Sequence, residues 1–550
     1  MIKIFDDLAD ATPTIFADLR TNVHNFWDRG LLGLALHPDF PNVPYVYVLY
    51  THDAAIGGVA PRWGTTGGTS DPCPNPPGAT GNGCVVSGRL SRLRAAGNVM
   101  TGVEEVLIED WGQQYPSHSI GSLAFGADGK LYVSGGDGAS FNQVDYGQFG
   151  EPVNPLGDPP AGVGGAQTPP TAEGGALRSQ DLRSVGDPVT LDGTILRVDP
   201  ETGAAPPDNP LSNNSDPNGR RVIAYGLRNP FRITVRPGTN EVWAGDVGWG
   251  GFEEINRIIN PVDAVVENFG WPCYEGAGRQ SGYDGANLNV CENLYGETNA
   301  VTAPFFAYSH GQPVVSGGTD SGGSSISGLS FYNSGNDGAD YPAQYDGALF
   351  FADYSRNRIW VLFKGANGLP DPATRATFRS PAASPVELQT GPGGDLFYAD
   401  FNGGTIRRIQ YFHEYLGNEP PTAIAQANPR AGSAPLTVVF DATNSSDPNG
   451  DALAYAWDFD GDGIDDSTST QPMHTYTATG SYNVQLKVTD GKGLSDVGVL
   501  VVTVGNSAPA ATIDAPLPTL TWRVGDVIFF SGRALDTEDG TLAASALSWS

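Results

Sequence analysis

Side chains able to do chemistry are sparse and unevenly placed in this chain. Gly248 and Trp249 follow directly on a segment ending Gly245-Asp246-Val247, and the next residues bring Glu253, Glu254 and Asn256. A turn there leaves carbonyls outside a strand ladder and gathers oxygen ligands, the donor set that calcium takes. Asp458, Asp460, Asp462 and Asp466 also have calcium-loop spacing, but the late Glu of an EF-hand is absent, so they read as a solvated acidic turn. His118 is one of 7 histidines. In its Tyr115-Pro-Ser-His-Ser119 loop it reads either as a surface side chain or as a base, since imidazole titrates near working pH. Arg228-Asn229-Pro230 is either a turn pinned by a guanidinium or a fixed cation facing developing negative charge. Asp137 and Asp246 hold corresponding places in two repeats, as the paired carboxylates of a hydrolase would; nothing beyond placement supports that reading. The cysteines fall in two local pairs, Cys73 with Cys84 and Cys273 with Cys291, inside polar loops. Two loop-closing disulfides and an oxidising compartment are expected, whereas the spacings fit no usual zinc pattern.

The elements that must position these groups are strands. The chain has 73 Gly and 43 Pro between short runs of Val, Ile, Leu, Tyr, Phe and Trp, a pattern of many strands with tight turns. One unit recurs: an apolar stretch, a Pro/Asp/Gly turn, then an aromatic-rich strand ending near Asp. It appears at Leu34–Thr51, Leu123–Gly138, Ile233–Gly248, Tyr345–Leu362 and Leu388–Ile409. Sheets of this kind bury both faces by stacking radially, so residues 1–413 read as a six-bladed β-propeller with an incomplete first blade and long insertions such as Pro152–Pro188. The fold class is all-β throughout. Residues 414–421 read as a linker, 422–504 as a β-sandwich and 505–550 as the start of a truncated further β-domain.

A net charge of −31, from 61 acidic and 30 basic side chains, disfavours nucleic acid and anionic lipid as partners. No apolar run is long enough for a membrane-spanning helix. The opening Met1-Ile-Lys-Ile-Phe5 carries no leader pattern and Ser548-Trp-Ser550 stops within a strand pattern, so both ends read as cut and the cysteines point to an exported, secreted or periplasmic protein.

Six motifs in order, RGLLGLALHPDF (29–40), HSIGSLAFGADGKLYVSGGD (118–137), LDGTILRVDP (191–200), YGLRNPFR (225–232), GDVGWGGFEEINRI (245–258) and NFGWP (268–272), resemble the glucose/sorbosone dehydrogenases. The segment from Thr422, with YAWDFDGDG and HTYTATGSYNVQLKVTDGKG, resembles PKD domains. Those are Ig-like sandwiches that serve as spacers or polymer-binding modules.

The first resemblance implies pyrroloquinoline quinone (PQQ) on a calcium ion over the propeller axis. It implies His118 as the base for a sugar's anomeric hydroxyl, Asp137 as its orienting carboxylate, and Arg228 with Asn229 at the quinone oxygen. The bridging ion falls to the carbonyls of Gly248 and Trp249, and a second ion to Glu254 and a carbonyl near Phe269. The chain also departs from the family. Asp28 stands at a Gln position, Asn333 at a Lys, and Ser384 and Val386 near an Arg pair, which leaves Arg29, Arg356 or Arg358 to supply positive charge. The expected activity is oxidation of an aldose or related sugar at C1, with electrons passed to an external acceptor. The alternative is a non-catalytic, calcium-stabilised propeller that binds carbohydrate or protein.

Overall fold

The computed structural model describes residues 1–5, 12–184, 186–334, 341–391, 394–411, 418–505, 510–515, 531–536 and 540–541. The chain divides into two compact units, one of Met1–Ile4 with Thr14–Tyr411, the other of the remaining residues.

The first unit is a succession of antiparallel sheets. Blade 1 holds Leu31–Leu36, Tyr45–His52, Val86–Ala96 and Val99–Gln113. Blade 2 runs from Ile120–Phe125 through Leu131–Gly135 and Thr194–Val198 to Val222–Tyr225, with Glu267–Asn268 added in parallel. Blade 3 holds Pro230–Val235, Val242–Asp246, Phe252–Ile258 and Phe306–Ser309; blade 4 holds Ile326–Phe331, Leu349–Asp353, Arg358–Leu362 and Ala376–Arg379. Blade 5 has three strands, Pro385–Thr390, Leu396–Asp400 and Thr405–Ile409, and Ile2–Ile4 pairs with Thr14–Ala17 as a further two-stranded sheet.

Strand periodicity explains the stacking. In Tyr45–His52, Tyr47 and Leu49 face the core shared with blade 2, while Val46, Val48 and Tyr50 face Ile2, Phe16 and Ala17 of the N-terminal hairpin. Leu349 and Phe351 join Trp243 of blade 3, whereas Phe350 and Ala352 join Leu388 and Tyr398 of blade 5. Successive side chains of one strand point to opposite faces, so blades 1 to 4 each feed two cores, while blade 5 joins the one it shares with blade 4.

Two features repeat at one end of every blade. The innermost strand carries a β-bulge just after its first residue, at Leu31, Ile120, Pro230, Ile326 and Pro385. The second strand ends at or just before a buried Asp: Asp53, Asp137, Asp246, Asp353 and Asp400. These carboxylates accept backbone N–H bonds from the turn that follows or from the strand opposite, as Asp53 does from Arg62, Trp63 and Gly64, and so replace ladder bonds lost where the strand stops. We call this end the mouth.

In the second unit, Gln426–Asn428, Leu436–Asp441 and Met473–Tyr476 form one sheet, and Ala431–Gly432, Ser495–Val504, Gly480–Thr489 and Ala454–Asp458 the other. Val484, Leu486 and Val488 point inward on Trp457 and Phe440. Asn418, within the expected linker 414–421, donates to Asp490 of the sandwich at 2.5 Å. Of the expected linker, 414–417 lie outside the described residues. Beyond the sandwich, Ala510–Ala515, Ser531–Asp536 and Gly540–Thr541 form a three-stranded sheet.

Candidate active site at the propeller mouth

Two residues ahead of each inner strand, the five blades place Arg29, His118, Arg228, Ser324 and Ala383. In blade 2 this position meets the repeated Asp. His118 Nδ1 lies 2.9 Å from Asp137 Oδ1, both side chains being buried. The backbone permits the approach because residue 136 is glycine: a Cβ there would stand 2.4 Å from the carbonyl oxygen of His118. Asp137 is fixed further by Trp271 Nε1, which donates to its Oδ2 at 2.8 Å, and by the amide of Ala139 at 3.0 Å. The amide of Asp137 donates to the carbonyl of Arg228, joining blades 2 and 3 at this point. Nε2 of His118 has no hydrogen-bond partner among the described residues and is left open at the mouth.

Burial, and then the Arg228 charge, push the His118 imidazole below its ordinary range, with Asp137 opposing. Burial pushes the Asp137 carboxyl up, but His118 and Arg228 outweigh it and hold the group below the usual carboxylate range. The pair is therefore a neutral imidazole with an ionised orienter, which can take a proton on Nε2 and stabilise the resulting charge.

Arg228 and Asn229 lie in the next blade. Their amides donate to the two oxygens of Asp246, at 3.1 and 2.6 Å, so Asp246 acts as a blade fastener. Arg228 Nη1 donates to the carbonyls of Val247 and Gly248 at 2.9 and 2.7 Å, and its guanidinium lies 5.4 Å from the Trp271 ring. Arg228 Nε and Asn229 Oδ1 are buried without hydrogen-bond partners among the described residues.

The oxygen-rich loop is organised by a residue the sequence does not advertise. Glu275 Oε1 accepts the amides of Trp249, Gly250, Gly251 and Phe252. Gly248 is obligatory, since a Cβ there would meet the Phe252 carbonyl oxygen at 1.7 Å. Behind the loop, Asp246, Gly248, Glu254, Phe269 and Glu275 line a cavity of about 10 Å³, room for one water-sized body. Burial raises the Glu254 carboxyl to about 7 and Asp246 well above its ordinary value.

The remaining positions divide. Asp28 is exposed at the mouth and accepts from Ser117 Oγ at 2.5 Å, one residue from His118. Ser384 also precedes an inner strand, while Val386 lies within it. Asn333 is misplaced: it follows the end of Ile326–Phe331, at the far end of blade 4 from the mouth. Matching it across a loop put it at the wrong end of a strand. Arg29 and Arg356 are engaged by carbonyls of the propeller itself. Arg29 donates to the carbonyls of Cys84, Gln113 and Tyr115, and Arg356 to those of Gln312, Ser309 and His310. Arg358 is half-buried at the start of the third strand of blade 4, across from Asp353.

Sequence reasoning also passed over Trp271, although it sits in the NFGWP motif, and an aromatic chain in which Phe141 contacts both Trp27 and His118 edge-on. Cys73–Cys84 and Cys273–Cys291 are disulfides. In the sandwich, Asp458 accepts the amides of Asp460, Gly461 and Gly463, and carboxylate oxygens of Asp458, Asp460 and Asp462 lie within 4.8 Å of one another.

Comparison with known proteins bears on this site. The sequence profile of the glucose/sorbosone dehydrogenases matches residues 7–149 and 175–366, and that of the PKD domain matches 418–504. The HIPL1 protein of Arabidopsis thaliana is 25% identical over 404 residues, 69% of this chain and 50% of that protein. Quinoprotein glucose dehydrogenase B of Acinetobacter calcoaceticus is 28% identical over 268 residues, 48% of this chain and 44% of that one. A microbial collagenase of Vibrio alginolyticus is 38% identical over 95 residues, 17% of this chain and 11% of the collagenase. The chain thus spans about half the length, or less, of these relatives.

Proposed function

The chain belongs to the glucose/sorbosone dehydrogenase family, and from that membership we propose that its propeller is a sugar oxidoreductase that oxidises an aldose or related sugar at C1. The observation that carries the reading is the buried His118–Asp137 pair with its free Nε2. Nε2 takes the proton of the anomeric hydroxyl, while Asp137, held by Trp271 and Ala139, keeps the proton of His118 on Nδ1 and stabilises the imidazolium. Arg228, whose charge acts on His118, is the cation that would face developing negative charge.

PQQ fits this edge through one unpartnered donor, Arg228 Nε, which suits a quinone oxygen; Asn229 Oδ1 and the open His118 Nε2 are acceptors and suit the hydroxyls of a sugar. His118, Arg228 and Asn229 would hold it, with calcium on the carbonyls of Gly248 and Trp249; when bound, the quinone accepts the hydride. Asp28 and the engaged Arg29 and Arg356 give its carboxylates little to pair with, so its affinity should depend strongly on calcium. Electrons then pass to an external acceptor. The disulfides support an exported protein, and the sandwich, like the matching part of the collagenase, supports contact with a polymer or surface.

The second reading, a non-catalytic calcium-stabilised propeller binding carbohydrate or protein, is favoured in its non-catalytic part by one observation: Arg228 is turned onto the Val247 and Gly248 carbonyls, the second of which a quinone-bridging calcium would need. Reconstitution with PQQ and Ca²⁺, followed by dye reduction over a panel of sugars, separates the two. Reduction with an aldose is expected; saturable quinone binding without reduction by any sugar would overturn the oxidoreductase.

A further inference from the structure

Among the large aromatic side chains at the mouth, Trp27 and Phe401 stand in solvent, and Trp27 is the one near His118. Trp27 is 53% exposed, although burying an indole is among the largest gains a side chain can make. Its backbone is left-handed, with φ at 54°, a conformation bulky residues rarely adopt. His118 shares that feature, with φ at 51°. The two rings are linked through Phe141, whose centroid lies 5.7 Å from Trp27 and 6.4 Å from His118, edge-on to both. Phe141 is itself tied down, because Trp249 Nε1 donates to its carbonyl at 2.8 Å. On the other side Phe26 stacks on Trp27 at 5.3 Å, with 21° between the planes. The indole is braced by both neighbours and held out of the core, one ring from the proton-accepting pair.

The next residue gives the face a polar edge. Asp28 is exposed, and Ser117 Oγ donates to its Oδ2, while Oδ1 takes no hydrogen bond from the described residues. A pyranose presents C–H groups on one face and hydroxyls around its rim. The first suits a flat aromatic surface, and the second suits a carboxylate, which only accepts hydrogen bonds.

We propose that Trp27 is the platform on which the sugar ring stacks, and that Asp28 beside it selects neutral or amino sugars against anionic ones. The inference rests on the oxidoreductase reading and names its substrate class. A uronate or aldonate would bring a carboxylate next to Asp28, a like-charge contact that a neutral aldose avoids and an amino sugar converts into attraction.

The test uses the full chain with PQQ and Ca²⁺, by titration calorimetry and steady-state kinetics with glucose, glucosamine and glucuronate. Trp27→Ala should weaken glucose binding about tenfold, the scale of one aromatic stack, and raise KM far more than it lowers kcat; Trp27→Phe should recover most of the loss. Asp28→Asn should narrow the preference for glucose over glucuronate. Unchanged glucose affinity in Trp27→Ala, with its melting temperature kept, would overturn the platform. An unchanged ratio in Asp28→Asn would overturn the selection. Wild-type protein that binds glucose through Trp27 yet reduces no dye would leave the platform standing and remove the oxidoreductase; protein that binds no sugar removes both.

Discussion

At the scale of single residues, the two partners of His118 act in opposite senses on its proton. Burial and Arg228 hold the imidazole below its ordinary range and Asp137 raises it. A base works in its neutral form, so the acid limb of kcat/KM should lie below the usual histidine range, near 6.5. Asp137→Asn removes the group that raises His118, so this limb should move to still lower pH. The maximal rate should meanwhile fall by about 10²- to 10⁴-fold, because the imidazolium loses its stabiliser. A pH profile of the variant checks both; a limb moving upward would show that Asp137 does not act on His118 in this way. Trp271→Phe keeps the ring and removes the N–H to Asp137, and it should cost less than Asp137→Asn.

At the scale of elements, the insertions within blade 2, between its second and third strands, and within blade 3, between its third and fourth, build a small core of their own over this end of the propeller. Ala176, Leu177, Trp271, Cys273, Tyr283, Leu288 and Cys291 pack together in it, and the Cys273–Cys291 bridge closes it two residues from Trp271. Opening so short a loop gives back limited chain entropy. Reduction, or Cys273→Ser with Cys291→Ser, should therefore shift the propeller's melting by only a few degrees while lowering activity through loss of the Trp271 bond to Asp137. Hydrogen exchange confined to residues 271–301 would mark the event, and collapse of the whole melting transition would refute it. The strands were legible in sequence because alternation, turn residues and the closing Asp coincide, as in Leu123–Gly138. The Trp271 contact was not, because it joins residues 134 apart through a loop whose path no periodicity fixes. Asn333 failed for a related reason: a match drawn across a loop has no register, and one strand length separates the mouth from the far end of a blade. The arginines illustrate another blind spot, since sequence shows a charge but not the carbonyls that occupy Arg29 and Arg356.

At the scale of the whole molecule, a net charge of −31 favours divalent cations over anions. With Gly248, Trp249, Glu254 and Phe269 around one loop and cavity, Ca²⁺ should raise the melting temperature of the propeller whether or not quinone is present, by mass action on the native state. Calorimetry in EDTA and then in Ca²⁺, on wild type and Glu254→Gln, checks this; equal melting temperatures throughout would remove the metal. The recurrence of one bulge and one buried Asp across five sheets also bears on descent. Asp137 fastens its blade as the other four do, and only its partner makes it an orienting group. Ala383, with φ at 54°, holds in blade 5 the place and the backbone shape that His118 holds in blade 2, ahead of a strand whose first residue pairs with Asp400. A lineage with this scaffold needs few mutations to found a new base beside a carboxylate already in place, and so can migrate its chemistry from blade to blade while inheriting the fold unchanged.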